Sequence, residues 1–142
     1  MSRIQSAVFS GRIDKLRKRM INEGVDFIVV YSDIWRANNV AYLTDYRQGG
    51  GGIGQSWTAL LLPASGQATL FTGFEETGCA AIQLKIDAAI APSTSFEDVL
   101  RKTFQLGKAD KIGFDISGNA FIFGFVPAAC TVAENTGRRA AF

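Results

Sequence analysis

The sequence predicts an α/β domain: a mixed β-sheet in the middle layer, with helices packed on both faces. Two observations predict the layers. Aliphatic, β-branched runs alternate with segments of helical period, and runs such as Phe27-Ile28-Val29-Val30-Tyr31 show no polar alternation. A strand without polar alternation is covered on both faces. A third observation makes the sheet mixed. Two strand-like runs on either side of Pro63-Ala64-Ser65-Gly66 form a hairpin in the middle of the alternation, so one connection is antiparallel.

The elements follow in order. Ser10 is placed as an N-cap, and Ile13, Leu16, Met20 and Ile21 then repeat at helical spacing. Gly24 is placed to end this helix as its C′ residue. Phe27 to Tyr31 is the first strand. Ser32-Asp33 can cap a helical turn through Ile34-Trp35-Arg36, and Val40 to Thr44 reads as a second short strand. The glycine run Gly49 to Gly54 is a connection. Trp57 to Leu62 is a strand stopped by Pro63, and Gln67 to Thr72 returns beside it. Phe74 to Leu84 fits a helix with Glu75 and Glu76 at its positive end. Ala88 to Ala91 is a short strand. Ser95 then caps a helix that carries Phe96, Val99, Leu100, Phe104 and Leu106 and ends near Gly107. Lys111 to Asp115 is a strand like the first. Ser117 or Asn119 caps a helical piece through Phe121 to Phe125, and the tail from Thr131 is ambiguous.

Composition narrows the function classes. The 142 residues suffice for one domain with a core. Fifteen basic against thirteen acidic residues give a net charge of +2, too balanced for a nucleic-acid or anionic-membrane partner. The cluster Arg12, Lys15, Arg17, Lys18 and Arg19 reads as a solvated helix face. Cys79 and Cys130 form no Cys-x-x-Cys pair and read as reduced, partly buried thiols. No apolar run approaches the ~20 residues that span a bilayer, and Arg3, Gln5 and Ser6 interrupt any signal region. A cytoplasmic protein is expected.

The chain has no histidine. Ser-His and Cys-His nucleophiles are therefore excluded, and histidine-ligated zinc with them. Gly49, Gly51 and Gly54 match the spacing of a dinucleotide fingerprint, with Glu75 about twenty residues on. That fingerprint also requires a helix opening at the third glycine. Here Gln55 to Leu62 read as a strand running into Pro63. A stand-alone small-ligand or nucleotide-binding domain using this loop is the alternative function. The candidate substrate-binding residues are Asp45, Tyr46, Arg47 and Trp57. Asp45 sits between two aromatics at an element end, where connections carry function. Arg47 beside Tyr46 suits a substrate carboxylate. The plainer reading is a surface arginine lying over Tyr46 or Trp57.

Several features together carry a resemblance. They are the amphipathic opening around Ile13-Asp14-Lys15-Leu16, Gly24-Val25-Asp26 before an aliphatic strand, Asn38-Asn39-Val40-Ala41-Tyr42-Leu43-Thr44-Asp45-Tyr46, the hairpin with Gly66, and Lys111-Ile112-Gly113-Phe114-Asp115. In this order the chain resembles, over about residues 10 to 125, the N-terminal domain of the creatinase/prolidase/aminopeptidase P family. The resemblance implies a three-layer, ribonuclease H-like domain spanning residues 1–142, with no catalytic residue and no metal of its own. It implies partners: the protein's own C-terminal pita-bread catalytic domain, which binds two divalent metal ions through Asp, Asp, His, Glu and Glu; a second subunit in a homodimer; and a small-molecule or peptide substrate shared with the catalytic domain. The chain departs from the family in two places. Asp45 stands where glycine is usual, and the glycine run lies where creatinase carries aromatic and arginine substrate contacts. The chain stops soon after such a domain would end, so the catalytic domain is expected on a longer polypeptide.

Overall fold

The computed structural model describes residues 5–33, 38–47, 57–73, 77–106, 111–115 and 139–141. Helix α1 spans Ser6–Asn22 and strand β1 Phe27–Asp33. Helix α2 spans Asn38–Thr44, and strands β2 and β3 span Trp57–Pro63 and Ala68–Thr72. Helix α3 covers Thr77–Gln83, strand β4 Ala88–Pro92, and helix α4 Phe96–Leu106 after a 3₁₀ turn at Ser93–Ser95. Strands β5 and β6 are Lys111–Asp115 and Arg139–Ala141.

The six strands form one sheet in the order β4-β3-β2-β1-β5-β6. β1 pairs antiparallel with β2 and parallel with β5. β2 pairs antiparallel with β3, β3 parallel with β4, and β5 parallel with β6. The sheet is mixed, as the hairpin predicts. Successive strand residues point to opposite faces. One face carries Ile28 and Val30, Leu60 and Leu62, Ala68 and Leu70, which pack against Ile13 and Met20 of α1, Val40 and Leu43 of α2, and Ala80 of α3. The other face carries Trp57 and Phe71, whose rings meet Phe96 edge-on at 5.6 and 5.1 Å. α4 therefore begins on the face opposite α1, α2 and α3, and the domain has three layers.

Local chemistry explains where the elements start and stop. After α1, Gly24 sits at φ +68°, with its N–H donating to the Ile21 carbonyl and the Val25 N–H to the Met20 carbonyl. That pair of bonds is the Schellman cap expected of a C′ glycine. The start of α1 corrects the sequence reading. The helix opens at Ser6, and Ser10 lies inside it, its hydroxyl donating back to the Ser6 carbonyl. At α4, Ser95 stands directly before Phe96, but its hydroxyl donates to the Pro92 carbonyl.

The larger correction concerns Val40 to Thr44, which is helix α2 and not a strand. A short apolar run cannot by itself separate strand from buried helix. Two side-chain bonds decide for the helix. The Ser32 hydroxyl, buried on β1, accepts from the Val40 N–H, and the Thr44 hydroxyl donates to the Val40 carbonyl. Ser32 thus steadies the first turn of α2. The turn expected at Ile34 to Arg36, the glycine run and the piece at Phe121 to Phe125 lie outside the described residues. Cys79, expected to be partly buried, is exposed.

Candidate functional site

The segment after α2 holds three of the four candidate residues. α2 ends in a left-handed turn: Asp45 has φ +64°, and its N–H donates to the Ala41 carbonyl. The Tyr46 N–H then donates to the Thr44 hydroxyl. This sharp stop sends consecutive side chains in different directions. Tyr46 turns inward, 2% exposed, with its hydroxyl 2.7 Å from the buried Thr72 hydroxyl. Arg47 turns outward.

Two tertiary bonds fix this corner against α3. The Arg47 N–H donates to the Gln83 side-chain carbonyl at 3.3 Å, and the Lys85 N–H donates to the Thr44 carbonyl at 3.0 Å. Asp45 and Arg47 thereby line a surface depression of about 300 Å³ with Ile82, Gln83 and Lys85. Ile82 is 81% exposed. The depression offers two cations, one carboxylate and an uncovered aliphatic side chain, a set that can hold a carboxylate and an adjoining apolar group.

The structure brings Asp45 and Arg47 together at this surface and does not bring Tyr46 or Trp57 there. Tyr46 belongs to the core beneath. Trp57 is at the start of β2 and packs on Phe96 across the sheet. Ile82, Gln83 and Lys85 escape the sequence reading because only the fold places α3 beside the end of α2. Ile82 leaves one trace in the sequence, an aliphatic residue two positions from the buried Ala80 and so off the buried side of the helix.

The dinucleotide reading meets a topological obstacle. β2 opens at Trp57, three residues after Gly54, and runs antiparallel to β1. The described strand after the glycine run is therefore not the parallel partner of β1 that a βαβ unit requires. Among the described residues no three His, Cys, Asp or Glu side chains gather to hold an ion. Among the described residues, no helix is long and apolar enough to cross a membrane.

Comparison with known proteins agrees with this architecture. No curated protein sequence matches the chain significantly. Among solved structures, the N-terminal domain of cytoplasmic peptidase PepQ from Mycobacterium tuberculosis H37Rv superposes with a TM-score of 0.69 at 21% identity, covering 92% of this chain and 91% of that one. The aminopeptidase P (Xaa-Pro aminopeptidase) of Streptococcus thermophilus gives 0.70 at 19% identity, covering 94% and 90%. A recombinant prolidase from Thermococcus sibiricus gives 0.67 at 14% identity; the match covers 94% of this chain but only 34% of the prolidase. At these identities the superpositions establish the fold. The sequence itself matches the family model described as the creatinase/prolidase N-terminal domain over residues 12–125. The chain belongs to the creatinase/prolidase N-terminal domain family.

Proposed function

We infer that this chain is the non-catalytic N-terminal domain of an Xaa-Pro peptidase-like or creatinase-like metallohydrolase. Its work is positioning: it contributes to a homodimer and shapes a substrate pocket whose chemistry a C-terminal catalytic domain supplies. One observation carries the reading: the chain matches this family over residues 12–125. On this reading the two divalent ions of the reaction are held by the other domain. Xaa-Pro dipeptidase and prolidase structures about three times this length support a larger parent, since the chain covers 32% and 34% of two of them.

The surface best suited to a substrate is the depression of Asp45, Arg47 and Lys85. Arg47 lies just past the stop of α2, held by Gln83, and can meet a substrate carboxylate at a pocket mouth. The test is direct. The purified 142-residue chain is incubated with Xaa-Pro dipeptides and with creatine, with and without manganese. The expected result is no turnover. Hydrolysis abolished by a chelator would overturn the proposal, because it would place the metal centre in this domain.

A further inference from the structure

We draw no further inference here: the strongest candidate, the apolar groove between α1 and α2 floored by Leu16, Ile28, Val30 and Leu43, carries nothing because nothing in the structure shows what covers it.

Discussion

Asp45 shows how one residue type answers a backbone demand. Its φ of +64° lies in the left-handed region, where a Cβ crowds the following carbonyl. Glycine meets this demand without strain, and aspartate tolerates it better than most other residues. The glycine usual at this place in the family and the aspartate here serve the same turn. Asp45→Gly is expected to stabilise the chain by about 0.5–1 kcal/mol, read by urea denaturation; a loss of stability would mean that the carboxylate holds something in place. Tyr46 is the counterpart on the inside. Its hydroxyl and that of Thr72 are partners in a buried site. Tyr46→Phe leaves the Thr72 hydroxyl without this partner, at an expected loss of about 1–2 kcal/mol, and adding Thr72→Val should recover part of it. A double-mutant cycle with no coupling between the two sites would rule this pairing out as a source of stability.

At the scale of elements, α1 does more than cover the sheet. Arg17 reaches from it to the β2–β3 turn, with its Nε donating to the Pro63 carbonyl at 3.2 Å and an Nη to the Gly66 carbonyl. Gly66 is at φ +100°, so the turn has a backbone that other residues rarely adopt, and the guanidinium ties two of its carbonyls to the helix. Arg17→Ala is expected to lower stability by about 1–2 kcal/mol and the melting temperature by a few degrees, while Arg17→Lys recovers less than half because an ammonium lacks the fork geometry. Differential scanning calorimetry of the two variants checks this. The basic cluster of α1 thus divides by position. Arg17 is a clamp, Arg12 is stacked on Tyr42, and Arg19 pairs with Glu23 in an exposed contact one turn away. An exposed pair of that kind adds little stability.

At the scale of the molecule, the depression beside Asp45 matters through what faces it. In an enzyme that joins this domain to its catalytic domain, Arg47→Ala is expected to raise KM several-fold with kcat little changed, since Arg47 would hold a carboxylate remote from the scissile bond. Steady-state kinetics on Xaa-Pro substrates checks this, and an unchanged KM would remove Arg47 from the pocket. Much of this molecule is legible in its residues. The runs at Phe27 to Tyr31 and Trp57 to Leu62, the turn at Gly66, the stop at Gly24 and the absence of histidine are local facts, and local rules read them into a mixed α/β sheet without a histidine-based centre. Two of the things that escaped those rules bear on the candidate site. Val40 to Thr44 became a helix because Ser32, on a neighbouring strand, accepts from its first turn. Tyr46 and Trp57 separated from Asp45 and Arg47 because a left-handed turn and the alternation of β2 send neighbouring or nearby side chains to different faces. Periodicity and turn chemistry depend on adjacent residues, so the sequence determined the layers, the hairpin and most element ends. Which side chains share a surface depends on contacts between residues such as Arg47 and Gln83, 36 positions apart, and only the tertiary structure decided that.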